Sequence, residues 1–183
     1  MKNLLILLFI PVIFLFVKCG SGDGGAEGED REKPAEPTVN IGNTIELNLA
    51  KWGYHLTIQV PAPGETVPEA IVEELEWGGL EIRVGTGFQL QLGGGEGDIA
   101  QRKADINLDD VYEATFTVDD EAGLFYSQKF KGTDMEGNFH FFVVIKDGDV
   151  FYEIEDIKEA TFGEGQARRM FEIAKAIKIN SPS

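Results

Sequence analysis

The chain has 183 residues, with 32 acidic against 16 basic side chains, a formal charge of −16 and a single cysteine. A surface of that sign repels phosphate, which disfavours nucleic acid and anionic membrane as direct partners and makes cations or basic surfaces the expected visitors. One cysteine excludes an internal disulfide, so a folded domain here must be stable by its core alone.

The first element is Leu4 to Val17, fourteen residues without a charged or polar side chain, preceded by Met1-Lys2-Asn3 and followed by Lys18, Cys19 and Gly20. That is the layout of an export signal. As a helix the run spans roughly 21 Å, short of the ~30 Å hydrocarbon core, and Pro11 weakens it further. No A-x-A-like arrangement of small residues marks a cut. The segment Phe16-Val17-Lys18-Cys19 resembles the lipobox of bacterial lipoproteins, in which the Cys thiol takes a diacylglycerol and becomes the new N-terminus. Lys18 departs from that pattern, since Gly, Ala or Ser usually stands there. The resemblance implies a signal peptide over 1–18, lipidation at Cys19, and a protein anchored by lipid in the bacterial cell envelope, on its periplasmic face or at the cell surface. An uncleaved anchor and a cleaved soluble protein are the alternatives. Lipidation would also dispose of a free thiol outside the cytoplasm, and two or more acyl chains make the attachment stable.

Residues 20–38 hold five Gly, two Pro and six acidic residues and no large apolar side chain. Nothing in them offsets the entropy of ordering, so 19–38 reads as a lipidated Cys followed by an acidic tether, with a typical span of about 24 Å.

Residues 39–183 are the size of one domain and carry 26 acidic against 12 basic side chains. Alternation predicts strands at Thr44 to Leu49 and Tyr54 to Val60. Pro68 at a first-turn position and the spacing of Ile71 and Leu75 predict a short helix within Val67 to Trp77. Leu80 to Val84 and Phe88 to Leu92 read as strands, and Gly93 to Gly97 as a loop. Asp98, with Gln101 three residues on, starts a helix through Ile106. Strands follow at Thr115 to Val118, Leu124 to Lys131, Asn138 to Lys146 and Val150 to Ile157. The Asp147-Gly148 pair is a hairpin signal, and consecutive hairpins mean an antiparallel sheet. Both faces of Asn138 to Lys146 are apolar, which makes that strand central. Glu164 to Ile177 is an amphipathic helix with Met170, Phe171, Ala174 and Ile177 on its apolar stripe. The fold class is α+β, a central antiparallel sheet with helices packed on it.

The run Asp98-Ile99-Ala100 with Lys103 and Ile106, the strands Phe139-His140-Phe141 and Phe151-Tyr152-Glu153-Ile154, and the closing Ala167, Met170, Glu172-Ile173-Ala174-Lys175 and Ile177-Lys178 resemble PsbP-like proteins. This α/β/α sandwich is shared by photosystem extrinsic subunits, a Ran-binding nuclear import factor and DcrB-type bacterial lipoproteins. The resemblance implies helices on both faces of the sheet. It implies an accessory or binding role, with no shared site to carry over residue by residue.

No motif names a reaction. His55 and His140 lie on strands, and each reads as a structural or surface residue, without a cysteine to complete a zinc site. Asp134 to Asn138 begins like a calcium loop, but Ile145 stands where a bidentate Glu is required. Asp109-Asp110 and Asp119-Asp120-Glu121 read as solvated charge, with a weak divalent ion as the alternative. Gly93 to Gly97 lacks a phosphate-loop ending, and Glu96 and Asp98 would repel phosphate. Ser127, Ser181 and Ser183 lack a nucleophile context. Trp52, Tyr54 and Trp77, near turns, are candidate contacts for a partner or sugar, with burial at the sheet edge as the alternative. The expectation is a non-enzymatic binding or accessory module of the envelope, with no catalytic, metal or cofactor residue assigned. Its partner is the membrane through Cys19 together with an unidentified protein or small molecule, and no nucleic acid. A small carboxylate- or divalent-ion-dependent enzyme and a purely structural envelope lipoprotein are the alternatives.

Overall fold

A computed structural model describes residues 41–180. The export signal, Cys19, the tether, Ser181 and Ser183 lie outside the described residues. Alternating apolar and polar side chains build most of the rest into strands. In chain order they are β1 (Thr44–Asn48), a 3-10 turn (Ala50–Trp52), β2 (Leu56–Pro61), β3 (Ile71–Glu74), β4 (Leu80–Val84), β5 (Phe88–Gly95), α1 (Ile99–Leu108), β6 (Tyr112–Asp119), β7 (Gly123–Phe130), β8 (Asn138–Asp147), β9 (Val150–Asp156), α2 (Glu164–Lys175) and β10 (Lys178–Ile179).

Seven strands form one antiparallel sheet in the order β3-β4-β5-β9-β8-β7-β6, and β1, β2 and β10 form a second, smaller one. The large sheet is two meanders, β3 to β5 and β6 to β9, joined edge to edge where β5 pairs with β9. Its two faces differ. On one, Ile82, Leu90, Phe125, Phe141, Val143 and Ile154 share a core with Ala167, Met170, Phe171 and Ala174 of α2 and with Leu56, Ile58 and Val60 of β2. On the other, Leu124, Tyr126 and Phe142 pack with Ile99 and Ile106 of α1. The apolar contacts of α1 are to β6, β7 and β8, so among the described residues no helix lies on the β3-β4-β5 half of that face. The class is α+β, and β8 is interior and covered on both sides as its sequence predicts.

Four local expectations need correction. The helix expected between Val67 and Trp77 is strand β3, whose Ile71, Val72, Glu73 and Glu74 pair with Arg83, Ile82, Glu81 and Leu80. The helical spacing of Ile71 and Leu75 coincides with a β-branched strand in which Ile71 is exposed and Val72 packs against the main core. The loop expected at 93–97 begins late, because β5 runs through Gly93, Gly94 and Gly95, paired with Glu153, Tyr152 and Phe151. The β8–β9 hairpin exists, but its turn is one residue later: Asp147 pairs with Val150, leaving Gly148 (φ 60°) and Asp149 as the loop. The last helix stops at Lys175, and Lys178 and Ile179 return as β10 against β2.

At the start of α1 the expected cap is present in half. Asp98 accepts from the Gln101 N–H at 2.8 Å, but the Gln101 amide donates forward to Asp105 at 2.7 Å instead of turning back. Asp98→Ala is expected to lower stability by about 1 kcal/mol, read from the urea midpoint at unchanged slope.

Candidate functional site

His140 projects from β8 towards the α1 side, the same face as Phe142, while its neighbours Phe139 and Phe141 point into the main core. It is 6% exposed, and Asp156, at the end of β9, is 3% exposed. Position 156 continues the core-facing series of Tyr152 and Ile154, so a carboxylate there must be hydrogen-bonded. It is bonded twice: the His140 Nδ1–H donates to Oδ2 at 2.6 Å, and the Phe141 backbone N–H donates to Oδ1 at 2.8 Å. The register makes this pairing possible, since Phe142 faces Glu155 and Phe141 therefore faces Asp156. In the neutral imidazole, donation from Nδ1 to Asp156 fixes the tautomer and leaves the lone pair on Nε2.

No described residue binds Nε2. His140 instead lines a cavity of about 270 Å³ between α1 and the sheet, together with Tyr126, Gln128 and Asn138 from the strands and Arg102 and Ile106 from α1. That is room for about nine water volumes, the lower end of ligand-site sizes. The Tyr126 ring lies 5.6 Å from the imidazole. Burial, reinforced by Asp156, holds the Tyr126 phenol well above its ordinary value, so it keeps its proton and serves as a donor. The site therefore places an imidazole nitrogen and a protonated phenol on one cavity wall.

Beside the cavity, the Arg102 guanidinium pairs with Glu155 and sits 5.0 Å from the centre of the Phe142 ring. Burial raises the Glu155 carboxyl, and the opposing pull of Arg102 does not cancel it. Lys158 stands at the cavity wall with Asp105 and Asp109. Three carboxylates, Asp105, Asp109 and Glu155, and two cations, Arg102 and Lys158, thus surround the cavity.

The structure separates the three aromatic residues singled out in the sequence. Trp52 and Tyr54 are half-buried against the main core, with Tyr54 5.9 Å from Tyr152. Trp77 is 61% exposed and lies on the opposite, α1 side of the sheet, over Gly93. His55 is exposed, and among the described residues no three His, Cys, Asp or Glu side chains gather into a metal-binding group. Asp134 lies in the β7–β8 connection.

Asp120 closes the β6–β7 turn. Burial pushes its carboxyl up, but the backbone N–H groups of Ala122 and Gly123 and the Lys175 ammonium outweigh that and leave it below the ordinary 3.8. A carboxyl depressed in the fold stabilises above its unfolded value, and that contribution is lost as pH falls through the folded value. Asp120→Asn is therefore expected to flatten the decline in stability below about pH 4, measured by urea unfolding across a pH series.

Asp156, Tyr126 and Arg102 are functional candidates that the sequence reading passed over. The signal for Asp156 was its place in an otherwise apolar alternation. No protein-family model and no curated protein sequence matches this chain.

Proposed function

We propose that the chain is a lipoprotein, lipidated at Cys19 and anchored in the bacterial envelope, whose PsbP-like domain is a non-enzymatic binding module. Its ligand is a small polar molecule held in the cavity between α1 and the sheet. The observation that carries this reading is the buried Asp156–His140 pair, in which Nδ1 is engaged by the carboxylate while His140 lines a cavity wall beside Tyr126. A helix on each face of an antiparallel sheet supports the PsbP-like sandwich, and the missing membrane-length helix among the described residues leaves attachment to the N-terminal segment.

Two measurements test it. Mass spectrometry of the mature N-terminus should find a diacylated Cys19; an unmodified Cys19 or a cut elsewhere overturns the anchor. Native mass spectrometry of the full chain extracted from its own envelope should show a small non-covalent adduct that His140→Ala loses. A bare mass in both forms counts against the binding role.

The same pair supports one other reading. A carboxylate behind an imidazole, with Nε2 turned to a cavity, is the arrangement of a general base. Turnover of ester, glycoside or phosphate substrates that disappears in His140→Gln would replace the binding reading with an acid/base enzyme.

A further inference from the structure

On the half of the same face where no described residue forms a helix, Trp77 is an exposed indole at a fixed position. Its six-membered ring is seated on two glycines of neighbouring strands: a Cβ added at Gly79 or Gly93 would come within 2.0 and 2.3 Å of ring atoms. Pairing of Leu80 with Leu92 sets those glycines side by side. The turn that carries Trp77 is closed by the Leu75 N–H to Gly79 and the Gly78 N–H to Leu75. From the other side of the sheet the Tyr54 hydroxyl donates to the Gly78 carbonyl at 2.7 Å. A large side chain held this firmly in water has little freedom left to lose on binding.

What surrounds it is polar and planar. Gly93 pairs with Glu153, and the adjacent row is Glu81, Gln91 and Glu155. The strip ends at a second cavity of about 270 Å³ under α1, lined by Glu153, Arg102, Gln101 and Phe142 among others. Across three strands that is about 10 Å of surface. An aromatic ring flanked by amide and carboxylate groups matches a sugar ring, whose C–H face rests on the π-cloud while its hydroxyls bond in plane. The charge selects among sugars. Arg83 is ion-paired with Glu73 and Glu81, and Arg102 with Glu155, so carboxylates already offset both cations and their pull on an acidic sugar is weakened.

We propose that this strip, from Trp77 to the α1 wall, binds a glycan chain without anionic groups. It shares the wall residues Arg102 and Asp105 with the His140 cavity, but His140 is not part of it. The test uses the full chain in a detergent lacking sugar head groups, with Trp52→Phe so that Trp77 alone reports by fluorescence. Cellohexaose or chitohexaose should give a saturable blue shift, and oligogalacturonate none. By calorimetry, Trp77→Ala should bind about tenfold more weakly. Gln91→Ala, away from the turn, should weaken binding with an unchanged urea midpoint, which keeps the test decisive if Trp77→Ala unfolds. Three results overturn the proposal: no saturable shift with either neutral hexasaccharide, equal affinity of both variants, or equal affinity for oligogalacturonate. Trp77 would then be a cover for two strand glycines only.

Discussion

Asp156→Ala is expected to lower the folding free energy by about 3–5 kcal/mol, a large part of the 5–15 kcal/mol that holds a domain of this size. The effect does not come from the lost contacts alone. Removing the carboxylate leaves the buried His140 Nδ1–H and the Phe141 N–H without their acceptor. Asp156→Asn separates structure from chemistry. Its amide oxygen can still accept from Phe141, while its NH₂ faces Nδ1 and favours the imidazole tautomer with the proton on Nε2. The Asn variant should therefore lose only about 1 kcal/mol while turning the cavity acceptor into a donor. Urea unfolding measures the first quantity and nitrogen chemical shifts of the His140 ring the second. A midpoint for Asp156→Ala within error of the parent chain would mean that the pair does not hold the site together.

Phe171→Ala should be of similar size, about 3–5 kcal/mol. Phe171 is 1% exposed and meets Phe125 and Phe141, with ring centres 5.6 and 6.2 Å away, so it links α2 to two neighbouring strands of the meander. Its loss leaves a cavity between the helix and the sheet that backbone relaxation fills only in part. Phe171→Leu, keeping most of the volume, is expected to recover more than half of the loss. If both substitutions prove equally mild, α2 is not the main closure of the core.

Much of this fold is written in local pattern. Leu80, Ile82 and Val84 alternate with charged partners, and Met170, Phe171, Ala174 and Ile177 share a stripe, so β4 and α2 follow from period alone. β3 did not, because four residues sample too little of either period, and pairing with β4 decided the outcome. β5 ran on through three glycines because its partners, a tryptophan over Gly93 and the Glu153 side chain beside Gly95, are remote in sequence. The site was harder still. His140 looked like a lone core histidine, and its carboxylate can be found only through register. Centring the turn on Asp147-Gly148 would set His140 opposite Glu155; the true turn, one residue later, moves Glu155 to Phe142 and brings Asp156 within reach. The proposed address of the chain rests on residues 1–38 and is independent of all this geometry.

The edge-to-edge join of the two meanders has a kinetic meaning. Within each meander, neighbouring strands are joined by short connections and can pair soon after collapse, whereas the β5–β9 seam brings Leu90 to Asp156 across the whole of α1 and three strands. Closing so long a loop delays the reward of its contacts. A truncation in the seam, such as Leu92→Ala, should then act chiefly by hastening unfolding, with the refolding limb of the chevron nearly unmoved. Because Asp156 sits on that seam, the lifetime of the closed seam also sets how long the His140 cavity keeps its shape.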